Sequence, residues 1–146
     1  MLRLFESYRG LEISNLQQIY EDSAGNLFYE DTLDFLQDAD TAYATWCVNG
    51  SYVCALRWQP FRAGYLIAGL ETMPSQRNNG YAKQLLRSVL EHYSSDGTRK
   101  VYSHIHKTNH ISAKVHSRCG FKMTDAYAYL LDGSVSREYY TFTIQI

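Results

Sequence analysis

The stretch GYLIAGLETMPSQRNNGYAKQLLRSVLEHY, residues 64–93, decides the fold. Its first part, Gly64 to Thr72, is short and mostly apolar, and Met73-Pro74 ends it because proline has no N–H with which to continue a ladder. A strand is predicted to stop there. After the polar residues Ser75 to Asn79, Ala82, Leu85, Leu86, Val89, Leu90 and Tyr93 recur at i, i+3, i+4 spacing, with Lys83, Gln84, Arg87 and Glu91 on the opposite side. This is the main helix, spanning residues 80 to 93, and the strand feeds it through one polar loop.

Working outward, Lys100 to His106 alternates as a strand, and Ile111, Val115 and Cys119 mark a further helix that ends at Gly120. Two strands are predicted around Asp132-Gly133, the last alternating Tyr140, Phe142, Ile144 and Ile146 with Thr141, Thr143 and Gln145, so that the chain closes on an antiparallel hairpin. Upstream, AYATWCV and SYVCALRW are rich in β-formers and are joined by Asn49-Gly50, a pair suited to a two-residue hairpin turn. Before them stand a strand around Leu2 and Leu4, a helical stripe of Ile13, Leu16, Ile19 and Tyr20, and a second stripe of Phe28, Thr32, Phe35 and Leu36. No repeat or linker divides residues 1–146, so a single mixed α/β domain is expected.

A formal net charge of -1 excludes the basic excess that draws a protein to nucleic acid. No apolar run approaches the ~20 residues that cross a bilayer, and MLRLFESYRG lacks the apolar middle of a signal peptide, so the expected setting is cytoplasmic with no membrane partner. Cys47, Cys54 and Cys119 are an odd, widely spaced set and read as reduced, buried thiols. His104, His106, His110 and His116 crowd together in sequence, yet no cysteine or carboxylate stands at a ligand spacing, and no metal is expected.

The loop Leu70 to Ala82 carries the chemistry. A helix N-terminus offers unpaired N–H groups and a partial positive charge, so main chain alone can grip a diphosphate. Gly80 and Ala82 permit close approach, Asn78 and Asn79 tolerate positive φ, and Arg77 adds a cation. Neither a GxxxxGK[ST] loop nor a GxGxxG fingerprint is present, so a diphosphate ligand other than the usual nucleotides is required. Any strand-to-helix junction also needs a tight polar turn, and R-x-x-G-x-A fixes only three positions.

These residues resemble the GNAT superfamily of acyl-CoA N-acyltransferases. The family's strand ending in V-x-P and its Q/R-x-x-G-x-G/A loop correspond to Thr72-Met73-Pro74 and Arg77-x-x-Gly80-x-Ala82. Its later motif, an asparagine opening a helix followed by a small residue, a tyrosine and a closing Gly-Phe, is matched by Asn109, Ser112, His116 and Gly120-Phe121, with histidine at the tyrosine position. The resemblance implies an α/β fold of the α+β type: a mixed, mostly antiparallel twisted sheet with a central parallel strand pair and about four helices. It implies acetyl-CoA as acyl donor, held by Leu70, Thr72, Met73, Arg77, Asn78, Asn79, Gly80, Tyr81, Ala82 and Asn109, with the thioester beside Thr72. Asn109 has a second role open to it as a helix cap.

The implied reaction is direct transfer of an acetyl group to a primary amine, with no covalent intermediate. Such an amine must be neutral and must lose a proton, and Glu71 is the candidate base: it projects opposite Leu70 and Thr72, and flanking Leu66 and Leu70 would raise its pKa. Pairing with Arg57 or Arg62 is the structural alternative for Glu71. His116 is the candidate acid for the CoA thiolate, or else a half-buried packing residue. Because histidine replaces tyrosine, a catalytically silent acyl-CoA-binding regulatory domain is the competing reading. Glu21, Asp22, Glu30, Asp31 and Asp34 give the acceptor side an acidic bias that fits a cationic small-molecule or peptide amine, although solvated helix faces produce the same pattern. If the terminal strand lies at a sheet edge, it could pair with a second copy as a homodimer.

Overall fold

The computed structural model describes residues 1–6, 10–11, 13–24 and 41–146, so the expected helix over Phe28 to Leu36 and the side chains of Glu30, Asp31 and Asp34 lie outside the described residues. Nine strands and three helices are described: β1 (Leu2–Phe5), α1 (Ile13–Ala24), β2 (Ala42–Val48), β3 (Ser51–Phe61), β4 (Gly64–Thr72), α2 (Tyr81–His92), β5 (Lys100–His106), α3 (His110–Arg118), β6 (Lys122–Asp125), β7 (Ala128–Tyr129), β8 (Val135–Ser136) and β9 (Tyr139–Gln145). One seven-stranded sheet has the order β1-β2-β3-β4-β5-β9-β6, antiparallel throughout except for the central pair β4 and β5. The expected mixed sheet with its parallel pair is therefore present.

Alternation along the strands sends side chains to two faces, and each face acquires its own core. On one, α2 buries Leu85, Leu86, Val89 and Leu90 against Cys54, Leu56, Trp58, Ile67, Val101 and Ile105. Burying each such aliphatic side chain is worth about 1.5–3 kcal/mol. Trp58 extends this layer by stacking on Tyr93 at 4.7 Å and 16°. On the other face, α1 packs Leu16, Ile19 and Tyr20 onto Tyr43, Tyr52 and Ala55.

The tail departs from expectation. The turn at Asp132-Gly133 joins only the two-residue strands β7 and β8, which form their own small sheet. The terminal strand instead inserts between β5 and β6, where its alternating residues serve two neighbours. It is an interior strand, so the edge-to-edge homodimer through Tyr140 to Ile146 has no free ladder to use. The stripe proposed for α3 is also shifted: Ile111 is 81% exposed, while His116 is 1% exposed and points inward.

Candidate active site

The site begins where β4 stops being a regular strand. Cα pairing with β3 runs Arg57 to Ala68, then resumes with Ala55 to Glu71, leaving Gly69 and Leu70 opposite Leu56. Gly69 has φ +61, and a Cβ there would stand 3.2 Å from Arg57 Nε and 3.3 Å from Tyr20 Oη. Only glycine makes this bulge without strain. From α1, the Tyr20 hydroxyl donates to the Gly69 carbonyl at 2.6 Å and clamps the bulge. Burial holds the Tyr20 phenol well above its ordinary pKa, so it stays a donor at every physiological pH.

Because β4 bends, it parts from β5. Their parallel pairing covers Tyr65 to Val101, Leu66 to Tyr102 and Ile67 to Ser103, and no further. Beyond that point lies a slot of about 170 Å³, walled by residues 67–70 of β4 and 103–106 of β5, with Asn109, Ser112, His116 and Tyr139 completing it. Alternation in β5 makes the slot accessible to both faces of the sheet: Ser103 and Ile105 belong to the α2 face, His104 and His106 to the other. Burial, helped by the nearby Arg62 guanidinium, holds His104 below the usual histidine pKa.

At the end of β4 the polypeptide makes one short 3₁₀ turn, Pro74–Gln76, and enters α2. Asn78 has φ +64, and Gly80, the residue before the helix, has φ +76 with no side-chain cap. The first N–H groups of a helix lack intrahelical acceptors, and the first bond made here is from Gln84 N–H to the Gly80 carbonyl at 3.0 Å. The contrast with α3 is direct, since Asn109 Oδ1 accepts from Ser112 N–H at 3.1 Å and caps that helix. The start of α2 thus has no side-chain cap.

Of the residues singled out in the sequence, Leu70, Asn109 and His116 line the slot. Thr72 donates to Cys54 Sγ at 3.4 Å, and Met73 N–H donates to the Val53 carbonyl at 2.8 Å, so both tie the end of β4 to β3. Tyr81 and Ala82 pack beside α2's core, and Asn79 donates to the Gln76 carbonyl at 3.0 Å to shape the loop. Arg77 turns back to the strand, with Nε 3.3 Å from the Thr72 carbonyl and Nη2 3.6 Å from Glu71 Oε2. Glu71 shares a register position with Ala55 and so lies on the α1 face, opposite Leu70 and Thr72. The loop cation Arg77 is thus one ionic partner of the Glu71 carboxylate.

His116 is held from both ring nitrogens. Nδ1 lies 2.8 Å from the Ser112 carbonyl, and Nε2 lies 2.9 Å from Ser103 Oγ. A carbonyl can only accept, so Nδ1 carries the proton and Nε2 accepts from the Ser103 hydroxyl. Phe121 meets the ring edge-on at 5.1 Å. Burial holds this imidazole below its ordinary pKa, outweighing the hydrogen bond to Ser112. Ser103 was missed in the sequence, although a polar residue at an inward position of KVYSHIH carries a signal: such a group needs a buried partner. Among the described residues, no three His, Cys, Asp or Glu side chains converge as a metal site would require, and no helix is long and apolar enough to cross a membrane.

A bulged strand splayed from its parallel neighbour, with a slot between them, defines the class: a mixed α/β protein with a mostly antiparallel sheet and one central parallel pair. Residues 5–121 match the acetyltransferase (GNAT) family, and the chain belongs to it. It is 36% identical over 64 residues to the chloroplastic GCN5-related N-acetyltransferase 6 of Arabidopsis thaliana, covering 44% of this chain and 22% of that protein. It is 37% identical over 59 residues to aminoglycoside N(6')-acetyltransferase type 1 of Salmonella typhimurium, covering 40% and 41%. The matches thus span well under half of these relatives. Among solved structures, the ribosomal-protein-S18-alanine N-acetyltransferase of Escherichia coli superposes with a TM-score of 0.75 at 14% identity, over 100% of this chain and 94% of that one. The PaiA N-acetyltransferase of Thermoplasma acidophilum, solved with coenzyme A, gives 0.74 at 11%, over 100% and 99%. At such identities these two similarities concern the fold.

Proposed function

We propose that the protein transfers an acetyl group from acetyl-CoA directly to the primary amine of a small molecule, in a cytoplasmic setting where its cysteines stay reduced. The observation that carries this reading is the slot between β4 and β5, the first of which leads through one short loop to the uncapped start of α2. The pyrophosphate would take the N–H groups of residues 78–82, with Arg77 turning from Glu71 toward it. The pantetheine arm would follow Leu70 to Met73, with Asn109 facing it. The slot closes at Ile67 and Ser103, where the strands pair again, which favours a short acyl group. Coenzyme A in the Thermoplasma structure supports the donor, and the aminoglycoside acetyltransferase of Salmonella supports a small-molecule amine as acceptor.

An amine reaches the protein as an ammonium and must lose one proton before it attacks. Glu71, on the α1 face, takes that proton directly or through water. A backbone N–H at the bulged end of β4 polarises the thioester carbonyl, and His116 provides the proton that CoA sulfur needs on leaving. Titration calorimetry with acetyl-CoA and CoA, then a thiol-release screen against diverse amines, tests the proposal. Binding of both followed by thiol release with an amine supports transfer. Binding without release from any amine refutes it in favour of a silent acyl-CoA-binding domain, and no binding refutes both.

A further inference from the structure

We infer that Ser103 is a further catalytic residue, whose hydroxyl carries the second proton of the amine to His116 and then returns it to the departing CoA sulfur. The inference rests on the transfer reaction proposed above and concerns a group that reaction leaves unassigned. His116 is 1% exposed, and Ser103 Oγ, 2.9 Å from Nε2, stands on the β5 wall of the slot as the last residue paired with β4.

The direction of the hydrogen bonds decides what this pair does at rest. Nδ1–H is committed to the Ser112 carbonyl at 2.8 Å, so Nε2 holds a lone pair and the Ser103 proton points at it. The remaining lone pairs of Ser103 Oγ are left for a donor from the slot. A wire arranged in this way withdraws a proton before it can deliver one. The rings of Phe121 and Phe142, at 5.1 and 6.4 Å, fix the imidazole and keep its surroundings apolar, which favours the neutral form such a step requires.

The steps balance. As the amine nitrogen bonds to the thioester carbon, its surplus proton passes to Ser103 Oγ, while the Ser103 hydroxyl proton passes to His116 Nε2. The C–S bond then breaks with its electron pair on sulfur. Sulfur takes the proton from Ser103 Oγ, and Nε2 gives its own back to Ser103. Amide and free thiol result, Ser103 and His116 end in the state in which they began, and the first proton of the ammonium remains on Glu71 to pass to solvent. His116 thus acts as an acid only after it has acted as a base.

The test has two arms on the intact protein. In the first, ring ¹⁵N–¹H correlation of His116 in the free enzyme should show a proton on Nδ1 and none on Nε2. An Nε2–H tautomer overturns the inference whether or not an acceptor is known. In the second, Ser103→Ala is compared with Ser103→Thr, using acetyl-CoA and an amine that the wild type accepts. The alanine variant should bind CoA within about threefold of wild type and lose ~100-fold in kcat, the usual reach of a positioned proton carrier. The threonine variant keeps the hydroxyl and should recover most of that loss. Undiminished kcat in Ser103→Ala, or an acetyl adduct on Ser103 in the intact-mass spectrum of the wild type, overturns the relay while leaving acetyl transfer standing. Absence of turnover by the wild type with every amine overturns the transfer reaction itself.

Discussion

Gly80→Ala separates the stability of the phosphate loop from its grip on a ligand. Gly80 sits at φ +76 and ψ 12, and an added Cβ meets no protein atom within 4 Å. The folded state therefore suffers backbone strain alone, ~1–2 kcal/mol for an alanine in the left-handed region. At ~2.1 cal/mol/K per residue, a chain of 146 residues unfolds with an entropy of about 0.3 kcal/mol/K, so the melting temperature should fall by ~3–6 °C. Affinity should fall further. The methyl group stands beside the first amides of α2, and losing one hydrogen bond to a charged oxygen costs ~1.5–3 kcal/mol, a 10- to 100-fold rise in Kd for CoA. Calorimetry with CoA and with acetyl-pantetheine, which has no pyrophosphate, isolates the loop, because only CoA should weaken. Gly80→Asn sharpens the comparison: asparagine tolerates the left-handed region, so stability should drop less while CoA binding drops at least as much. If both variants bind CoA as tightly as wild type, the anion site at α2 is refuted.

Other outcomes follow from the same geometry. Tyr20→Phe removes the hydroxyl that holds the Gly69 carbonyl, and urea unfolding should register a loss of ~1–2 kcal/mol. Glu71→Gln should leave CoA binding unchanged but lower kcat/KM by ~100-fold or more and alter the pH-rate profile; an unaltered profile removes Glu71 from the base role. Stability itself should fall as pH drops from 7.5 to 5.5. His116 and His104 have folded pKa values depressed below the ordinary 6.5, so the unfolded chain binds more protons in that window and unfolding becomes easier as protons are added. Replacing His116 with glutamine should flatten the dependence, as read from urea midpoints at the two pH values.

What was legible in the sequence follows from short-range physics. Asn49-Gly50 does join β2 to β3, Pro74 does follow the end of β4, and the stripe from Leu85 to Leu90 is the buried face of α2. The positive φ of Asn78 and the cap from Asn109 could be anticipated from the residue types alone. Long-range pairing could not. Nothing local indicates that Tyr139 to Gln145 will seek β5 and β6 instead of the strand just before it. The apolar positions of α3 also misled, because Ile111 faces solvent and the inward place is taken by His116, a polar residue that the core accepts only because Ser103 and Ser112 satisfy both its nitrogens. The arginine partner of Glu71 escaped for the same reason: loop side chains reach across a bend that sequence spacing does not encode.

The bulge at Gly69 has two consequences that would otherwise need separate devices. Its carbonyl is held from the α1 face by Tyr20, while the same chain segment, residues 67–70, forms the wall of the slot beneath. One chain segment therefore belongs to both the α1 face and the slot, the proposed acceptor and donor sides. On the proposed reading, a displacement of α1 by an acceptor would be passed to the slot wall through a 2.6 Å hydrogen bond whose donor does not titrate at physiological pH. Reaction rate depends steeply on the placement of reacting atoms, with ~1 Å costing up to 100-fold. The clamp thus gives the buried phenol a role at this kink in the sheet: it ties the position of the strand, and on the proposed reading the geometry of attack, to the packed helix.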